Sequence, residues 1–280
     1  TRYQPKPMLR IAGRPILEYP LDALADNDVE SVVLVVGHAK NRIQNHFESS
    51  YRDLEITYVT QSTQLGSGHA LQTAEEYTDE EFLVVNGDNV IDAAMVRETV
   101  DRYVDSAAAA CLAVAASKRT AEYGTVGIRD GVVERIDEDG HGGSARVNTG
   151  VYAFDRQIFH ALDRTDFENG ERPLTGAIDE LAGDVVAATP NGVWFDPSYP
   201  WDLLSTNRTL IYSHSELVAA DSPVDESARV HDSAVVTVAS DSERRRPSRS
   251  ASDSPPSATS QSPISSRINP RTWSTSSPLS

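Results

Sequence analysis

Residues 81–88 read Glu-Phe-Leu-Val-Val-Asn-Gly-Asp. The apolar run 82–85 has the length of a strand that is buried on both faces of a parallel sheet. A carboxylate, Asp88, follows the carboxyl end of this strand, which is the edge where open α/β sheets bind their ligands. Gly87 lets the backbone approach a ligand closely, and Asp88 offers the oxygen atoms that Mg²⁺ prefers. Taken alone, the stretch is explained equally well by a plain strand and turn.

The neighbouring segments alternate between helical and strand patterns. Apolar runs at residues 31–36 and 55–60 predict two strands, and the amphipathic segment 40–47 predicts a helix between them. A further pair of strands, joined at Asp130-Gly131, reads as a β-hairpin. This order is typical of an α/β fold, and we predict a Rossmann-like, doubly wound, mostly parallel sheet.

Composition and charge restrict the class of protein. The net charge of −17 argues against a nucleic-acid partner, because phosphate backbones are bound by basic surfaces. No apolar run is long enough to span a membrane, and the single cysteine, Cys111, excludes an intramolecular disulfide. We therefore expect a cytoplasmic protein with no membrane partner and a buried, unreactive thiol. The acidic residues are spread along the chain, which suggests a halophile-like, solvated acidic surface.

The end of the chain differs from the rest. Val224, Val230 and Val236 recur every sixth residue, which is the period of a hexapeptide β-helix, with a chance repeat as the alternative. Beyond residue 239 the chain consists mostly of Ser, Pro and Arg and cannot bury a core. We therefore divide the chain into a main domain at residues 1–218, the start of a left-handed β-helix at 219–238 and a disordered tail at 239–280.

A glycine-rich loop lies between the strand predicted at residues 55–60 and a helix predicted from about residue 69 to residue 77. Residues 61–70 read Gln-Ser-Thr-Gln-Leu-Gly-Ser-Gly-His-Ala. The N-terminus of a helix presents free N–H groups and a positive dipole, which suit an anion or the edge of a base. Gln61 and Gln64 carry both donors and acceptors, the chemistry that is needed to read a pyrimidine ring.

Two charged residues far from this loop add to the pattern. Lys6 lies between Pro5 and Pro7, and the two prolines fix the chain in an extended shape that directs the ammonium group. A solvated surface lysine is the simpler explanation. A second carboxylate, Asp196, ends a short predicted strand at residues 193–195. Neither residue is informative without the other motifs.

Together, the motifs resemble those of the sugar-1-phosphate nucleotidyltransferase family. The resemblance covers residues 1–217, and the order and approximate spacing of the motifs match those of the family. It is greatest for the archaeal-type branch of bifunctional uridylyl- or thymidylyltransferase–acetyltransferase enzymes, in which a β-helix follows the transferase domain. The motifs that carry it are Pro5-Lys6-Pro7, residues 61–70, Asn86-Gly87-Asp88, Tyr123-Gly124, Glu138, Asn148-Thr149-Gly150, Trp194-Phe195-Asp196 and, for the archaeal-type branch, residues 199–204.

The resemblance implies a Mg²⁺-dependent transfer of a nucleotidyl group from UTP or dTTP to N-acetylglucosamine-1-phosphate or glucose-1-phosphate, with release of pyrophosphate. Such a transfer depends on charge neutralisation and alignment more than on acid–base chemistry. Asp202 is the alternative to Asp196 as the second metal ligand, but it lies where it can cap the last helix. The implied roles are catalytic for Lys6, Asp88 and Asp196, metal-binding for Asp88 and Asp196, nucleotide-binding for Gln61, Gln64, Gly66, Ser67 and Gly87, and sugar-binding for Gly124, Glu138, Asn148 and Thr149.

The sequence departs from the family pattern in three places. The family's first strand and its phosphate-binding Gly-rich loop would precede Thr1. We therefore expect that the N-terminal strand is missing and that a chain beginning at Thr1 has little or no activity. Asp139 stands where the family usually has a lysine, and Ser198 stands where it has a glycine.

Alternatives to this function stay open at this point. The substrates could be those of a glucose-1-phosphate thymidylyltransferase rather than those of an N-acetylglucosamine-1-phosphate uridylyltransferase. The chain could also be a non-catalytic relative that binds a nucleotide-sugar. A dinucleotide-binding oxidoreductase is disfavoured, because no Gly-x-Gly-x-x-Gly follows a first strand. A homo-oligomer of a full-length parent is compatible with the sequence.

Overall fold

The structure, a computed structural model, describes residues 4–37, 40–117, 123–137, 146–213 and 263–267. Its centre is a ten-stranded sheet that is covered by helices on both faces. Two small two-stranded sheets lie beside it, and one of them builds the candidate site. The predicted α/β class, with helices on both faces of a central sheet, is confirmed.

The helices begin and end near signals in the sequence. Asp92 caps the helix that begins at Ala93, because its carboxylate accepts a hydrogen bond from the backbone N–H of Met95. The helix predicted at about 69–77 begins three residues earlier, at Gly66, and is followed by a separate 3₁₀ turn. In the described residues the helices are α1 Glu18–Ala25, α2 Lys40–Phe47, α3 Gly66–Thr73, α4 Ala93–Val104, α5 Gln157–Arg164, α6 Leu174–Glu180 and α7 Pro200–Ser213, with 3₁₀ turns at Lys6–Met8 and Glu75–Tyr77.

The strands include the predicted hairpin and several very short pieces. Asp130 and Gly131 both have positive φ, which is the backbone conformation of a two-residue hairpin turn, and the two flanking strands pair antiparallel. The strands are β1 Arg10–Ile11, β2 Arg14–Pro15, β3 Ser31–Val36, β4 Ser50–Tyr51, β5 Leu54–Thr60, β6 Glu81–Asn86, β7 Val90–Ile91, β8 Ala110–Ala116, β9 Thr125–Arg129, β10 Val132–Asp137, β11 Arg146–Asp155, β12 Val185–Ala188, β13 Trp194–Phe195 and β14 Pro263–Arg267.

The ten-stranded sheet is mixed, whereas the sequence predicted a mostly parallel one. Its strand order is β4-β5-β3-β14-β6-β11-β8-β12-β10-β9. Within the described residues, only β3 with β5 and β8 with β12 pair in parallel as neighbours. The prediction of a mostly parallel sheet is wrong because β11 follows the β9–β10 hairpin without a helical crossover and enters antiparallel between β6 and β8.

Strand β14 lies between β3 and β6 in the middle of the sheet and pairs antiparallel with both. It comes from the segment 239–280 that is predicted to be disordered, and for these five residues the prediction is wrong. The edges of β3 and β6 that face each other need partners for their N–H and C=O groups, and one extended segment satisfies both edges. β14 therefore occupies the position between β3 and β6 in the described sheet.

The two faces of the sheet carry separate apolar clusters. One face packs against α1, α2 and α4, with Leu24 and Val100 fully buried. The other face packs against α3, α5 and α6, with Phe159 and Ile178 buried. Cys111 on β8 has no exposed surface, and burial raises the pKa of its thiol to about 12, so the predicted buried thiol is confirmed.

Some predictions concern residues that the structure does not describe. The predicted β-helix start at residues 219–238, with its valines at 224, 230 and 236, lies outside the described residues. The expected low activity of a chain that begins at Thr1 stays a prediction. Among the helices of the described part, none has the length and apolar character that crossing a bilayer requires.

Candidate active site

A two-stranded ribbon brings the two candidate carboxylates to one place. β7 begins two residues after Asp88 and pairs antiparallel with β13, with Val90 opposite Phe195. One step further along this register, Asp196 lies opposite Asn89 and therefore beside Asp88. The predicted convergence of two carboxylates from distant parts of the sequence is present in the structure.

The ribbon is attached to β11 through the carbonyl group of Thr149, which lies within that strand. The carbonyl oxygen of Thr149 accepts hydrogen bonds from Asn89 Nδ2 at 2.8 Å and from Trp194 Nε1 at 2.9 Å, one donor from each side of the ribbon. The next residue, Gly150, has a positive φ of 75°, and a Cβ at this position would collide with the side chain of Asn86. The Asn-Thr-Gly motif therefore supports the ribbon that carries the carboxylates.

Lys6 approaches the ribbon from the N-terminal segment. It begins a 3₁₀ turn that follows an extended Pro5, so the prediction of a continuously extended Pro-Lys-Pro segment is wrong at Lys6. The turn is held because the carbonyl oxygen of Pro7 accepts a hydrogen bond from the N–H of Leu17. The Lys6 ammonium lies 2.9 Å from Asp88 Oδ2 and 2.7 Å from Asp196 Oδ1. The alternative of a solvated surface lysine is therefore wrong.

We call Lys6, Asp88 and Asp196 the charged cluster. Their side chains are 19%, 2% and 12% exposed, so the three charges are largely removed from water. Asp88 Oδ1 is buried and has no hydrogen-bond partner in the described residues. Leaving a buried carboxylate oxygen unpaired is unfavourable, so this atom is a candidate position for a ligand.

Burial and charge act on the titration of the cluster in opposite directions. Burial alone would lower the pKa of Lys6, but the negative charges of Asp88 and Asp196 outweigh it and raise that pKa above 10.5. Burial raises the pKa of Asp88 above 3.8, against the attraction of Lys6, which lowers it. Lys6 is therefore a fixed positive charge at neutral pH, whereas the Asp88 carboxylate lacks full compensation.

Asp202, the alternative second metal ligand, has a structural position. It lies in the first turn of α7, is 4% exposed, and accepts a hydrogen bond from the backbone N–H of Tyr199 at 3.0 Å. Pro200 occupies the first helical position, where a missing N–H does no harm. This is the helix-capping role expected from the sequence, and Asp196 is the carboxylate that lies beside Asp88.

Two residues that support Asp196 were not predicted as site residues. The hydroxyl of Ser198 donates a hydrogen bond to Asp196 Oδ1 at 2.8 Å. Tyr123 donates from its hydroxyl to the carbonyl oxygen of Asp196 at 3.5 Å, and its ring packs edge-on against Trp194. Ser198 was noted in the sequence only as a departure from the family, and Tyr123 only as part of a motif.

The predicted nucleotide-binding residues lie mostly in residues 61–69, which we call the base loop. Gln61 ends up 5% exposed just beyond β5, and its amide nitrogen Nε2 donates to the carbonyl oxygen of Gly66 at 3.1 Å. The same nitrogen lies 2.9 Å from His69 Nδ1. The Gln61 side chain thus joins two other residues of the base loop by hydrogen bonds. No role for His69 was predicted from the sequence.

The base loop is also fixed from outside by the backbone of Arg172. The N–H of Arg172 donates to Leu65 O at 2.7 Å, and the N–H of Gly68 donates to Arg172 O at 2.9 Å. Gly66 has a φ of 90°, and a Cβ there would lie 2.6 Å from Arg172 O. The glycines of this loop are therefore required by internal packing, and the N–H of Gly68 is engaged rather than presented to an anion as predicted.

Ser67 has an internal partner as well. Its hydroxyl oxygen accepts a hydrogen bond from the backbone N–H of Leu174 at 3.1 Å, which joins the start of α3 to the start of α6. This bond explains why a serine occupies the position without invoking a ligand. The nucleotide-binding role of Ser67 stays a prediction.

The Asn148 and Thr149 side chains are likewise held by internal bonds. Thr149 is fully buried, and its hydroxyl donates to the carbonyl oxygen of Ala113 at 2.8 Å. Asn148 donates from Nδ2 to the hydroxyl of Tyr152 at 2.7 Å and accepts from the N–H of Gly150 at 3.0 Å. Sugar binding by these two side chains stays a prediction that their hydrogen bonds do not support.

The remaining predicted site residues are placed as follows. Gln64 is half-buried in the base loop, and Gly87 is buried at the turn between β6 and β7. Gly124 lies beside the start of β11, because its carbonyl oxygen accepts a hydrogen bond from Asn148 N at 3.0 Å. Glu138 lies outside the described residues.

The charged cluster contains two carboxylates, and the described residues hold no group of three or more His, Cys, Asp or Glu side chains arranged for a metal ion. Two carboxylates suit an ion that takes its other ligands from a substrate or from water.

Comparison with known proteins indicates the family of the chain. A family model described as nucleotidyl transferase matches residues 1–210. The chain is 33% identical over 216 residues to the bifunctional protein GlmU of Methanocaldococcus jannaschii, covering 75% of this chain and 50% of that protein. It is 35% identical over 209 residues to the UTP–glucose-1-phosphate uridylyltransferase AglF of Haloferax volcanii, covering 72% of this chain and 86% of that protein.

Among solved structures, the fold is similar to that of UTP-bound UGPase from Acinetobacter baumannii. The TM-score is 0.68 at 24% identity, and the match covers 76% of this chain and 88% of that one. The chain spans about half the length of the bifunctional relatives it matches. The family match over residues 1–210, together with the convergent charged cluster, shows that the chain belongs to the sugar-1-phosphate nucleotidyltransferase family.

Proposed function

We propose that the chain transfers a nucleotidyl group from UTP or dTTP to N-acetylglucosamine-1-phosphate or glucose-1-phosphate, with Mg²⁺ as the cofactor. In this reaction a phosphate oxygen of the sugar-1-phosphate forms a bond to the α-phosphorus. The bond from the α-phosphorus to the oxygen bridging to the β-phosphorus breaks, and pyrophosphate leaves with that electron pair. The observation that carries the proposal is the charged cluster, where Lys6 lies within 3 Å of both carboxylates.

The charged cluster fits a Mg²⁺ ion. Asp88 Oδ1 is a buried carboxylate oxygen that has no partner among the described residues, and Asp196 places a second carboxylate beside it. Proteins commonly hold Mg²⁺ through one or two carboxylates together with substrate phosphates, so a site of two carboxylates is sufficient. When bound, the ion would neutralise negative charge on the phosphoryl oxygens.

Lys6 supplies the positive charge that belongs to the protein itself. Its ammonium is already within hydrogen-bond distance of both carboxylates, and its raised pKa keeps it charged at neutral pH. An ammonium with three donors can exchange a carboxylate oxygen for a phosphoryl oxygen without leaving the site. We therefore assign it to charge neutralisation during transfer, while Ser198 holds the carboxylate of Asp196 in place.

The rest of the substrate would lie on the two sides of this cluster. The base loop, with Gln61, Gln64 and Gly66, is proposed for the nucleotide, together with Gly87. Gly124, which directly precedes β9 and bonds to Asn148 of β11, is proposed for the sugar. Glu138, Asn148 and Thr149 keep their proposed sugar-binding roles from the family resemblance alone.

Support for a uridine nucleotide comes from the relatives. AglF of Haloferax volcanii, which this chain covers over 86% of its length, is named a UTP–glucose-1-phosphate uridylyltransferase. The bifunctional relatives are covered over only half of their length, so their further activity is not transferred to this chain. Within our proposal, UTP is preferred to dTTP, and both sugar phosphates remain candidate substrates.

The test is a pyrophosphate-release screen that crosses UTP and dTTP with the two sugar phosphates, with and without Mg²⁺. We expect Mg²⁺-dependent release with at least one pair, at the low rate predicted above for a chain that begins at Thr1. Binding of UTP is measured by calorimetry in parallel, so that binding and turnover are separated. Mg²⁺-dependent UTP binding without turnover, unchanged by Asp88→Ala, would instead indicate a non-catalytic nucleotide-sugar-binding relative. A chain that neither binds nor turns over either triphosphate would contradict the proposed function.

A further inference from the structure

We infer that His69 positions the Gln61 amide so that it reads the N3–H group of uracil or thymine and rejects cytosine. The inference rests on the proposed function, because it concerns the base of the nucleoside triphosphate. His69 is a positioning residue in this scheme, since it acts on the base through Gln61.

The orientation of the Gln61 amide follows from a carbonyl group. The amide nitrogen Nε2 lies 3.1 Å from the carbonyl oxygen of Gly66, which can only accept a hydrogen bond. If the amide were turned over, its own carbonyl oxygen would face that of Gly66 without a proton between them. The Gly66 carbonyl is fixed in its turn, because Arg172 bonds to the loop on both sides of it, at Leu65 and Gly68.

His69 takes the second hydrogen of the amide nitrogen. Gln61 Nε2 lies 2.9 Å from His69 Nδ1, and since the amide nitrogen is the donor, Nδ1 is the acceptor. The ring proton of the neutral imidazole is therefore on the other ring nitrogen. A terminal amide nitrogen carries two hydrogens, so Gly66 and His69 together use both.

The carbonyl oxygen of Gln61 is consequently the part of the side chain that is left for a ligand. Within the described residues, Gln61 Oε1 takes no hydrogen bond, since both side-chain bonds of Gln61 come from Nε2. The Watson–Crick edge of uracil or thymine carries a single donor, N3–H, whereas cytosine has a lone pair at N3. An acceptor-only oxygen therefore bonds to uracil or thymine at this place and repels cytosine.

Removal of the Nδ1 acceptor would weaken this preference. One N–H of Gln61 would lose its partner in a site where the side chain is only 5% exposed. The amide nitrogen would then be held by Gly66 alone, so the Gln61 oxygen would be directed less firmly at the N3–H of the base. Replacing a residue that only packs against the helix would instead weaken the binding of UTP and CTP equally.

The test compares dissociation constants of UTP and CTP by calorimetry, with Mg²⁺ and the full chain. The variants are His69→Leu, which removes the acceptor, and His69→Asn, whose side-chain oxygen keeps an acceptor near the position of Nδ1. We expect His69→Leu to reduce the preference for UTP over CTP about tenfold, the size of one well-placed hydrogen bond. His69→Asn should retain most of the preference. His69→Ala gives the same readout if the leucine variant does not fold.

A double-mutant cycle separates His69 from Gln61. Gln61→Leu should lose the preference, and adding His69→Leu to it should change the ratio no further, because His69 acts through Gln61. Equal weakening of UTP and CTP binding by His69→Leu would overturn the inference, and so would a preference for CTP in the unmodified chain. A chain that binds neither UTP nor dTTP would overturn the proposed function itself and this inference with it.

Discussion

The charged cluster and the base loop are built in opposite ways. The charged cluster takes Lys6, Asp88 and Asp196 from three distant parts of the chain and assembles them through the β7–β13 ribbon. The base loop takes its polar groups from one short stretch, residues 61–69, and the hydrogen bonds of Gln61 and Gly68 stay within the protein. Among the described residues, the first region leaves a buried carboxylate oxygen unpaired, whereas the second uses both amide hydrogens of Gln61 internally.

This difference indicates which property each region controls. Uncompensated charge in a site with little water interacts strongly with developing charge on a phosphate, so changes in the charged cluster should alter the rate of transfer. Neutral hydrogen bonds contribute less but are directional, so changes in the base loop should alter which ligand is bound. Substitutions of similar shape in the two regions can test this division.

The largest effect is expected for Asp196→Asn. The amide keeps an oxygen that can accept from Lys6 and Ser198, so shape and hydrogen bonding are preserved while the negative charge is lost. We expect turnover to fall about 10²–10³-fold and the Mg²⁺-dependent increase in UTP affinity to disappear. The measurements are pyrophosphate release and calorimetry with and without Mg²⁺.

Asp202→Asn is the matched control for this prediction. Its amide oxygen can still accept the hydrogen bond from Tyr199 N, so the cap of α7 and the Mg²⁺ dependence should both be retained. Loss of Mg²⁺ dependence in Asp202→Asn but not in Asp196→Asn would make Asp202 the second Mg²⁺ ligand. It would contradict the assignment of that role to the charged cluster.

Lys6→Met should destabilise the protein in the absence of Mg²⁺. The variant keeps a long apolar side chain but leaves two adjacent carboxylates, 2% and 12% exposed, without their cation. We expect a loss of about 3 kcal/mol in the free energy of unfolding, at the lower end for a broken buried ion pair because Lys6 is 19% exposed.

Added Mg²⁺ should restore part of this stability in Lys6→Met, because an ion that binds only the folded state stabilises it. The measurement is urea unfolding with EDTA and with Mg²⁺. A Lys6→Met protein that is as stable as the unmodified chain in EDTA, or that Mg²⁺ does not stabilise, would contradict a charge-compensating role for Lys6.

The sequence predicted the charged cluster better than it predicted the sheet. Asp88 and Asp196 could be found because each follows a short strand within two residues, and strand ends are local signals. The antiparallel entry of β11 between β6 and β8 depends on pairing between distant segments, which no local pattern encodes. The same holds for β14, whose five residues carry little strand signal of their own.

Within the site, side-chain partners were the part that sequence could not supply. The family resemblance implied a nucleotide contact for Ser67, but the partner of its hydroxyl oxygen, the N–H of Leu174, is remote in sequence. His69 stood in the quoted motif, yet only the structure shows that it lies 2.9 Å from the Gln61 amide nitrogen. Residue types and spacing indicated the chemistry, whereas only the structure shows which hydrogen bonds satisfy each polar group.

Asp88→Asn should change how stability depends on pH. Burial raises the pKa of Asp88 above 3.8 in the folded protein, so the folded chain holds this proton more tightly than the unfolded chain does. Between the unfolded and folded pKa values, the unmodified protein therefore loses stability from this group as pH rises. In metal-free buffer, the stability of Asp88→Asn relative to the unmodified chain should increase over that interval. The measurement is urea unfolding at a series of pH values. A relative stability that is constant or decreases with pH would contradict the raised pKa of Asp88.

The smallest effect is expected for Ser67→Ala in the base loop. The substitution leaves the N–H of Leu174 without its acceptor, so the free energy of unfolding should fall by about 1 kcal/mol. UTP affinity should stay the same, because the serine oxygen is engaged within the protein. Ser62→Ala, in the same loop but exposed, is the matched control and should change neither quantity. If Ser67→Ala instead weakened UTP binding and left stability unchanged, Ser67 would be a ligand contact, and the base loop would resemble the charged cluster in reserving polar groups for substrate.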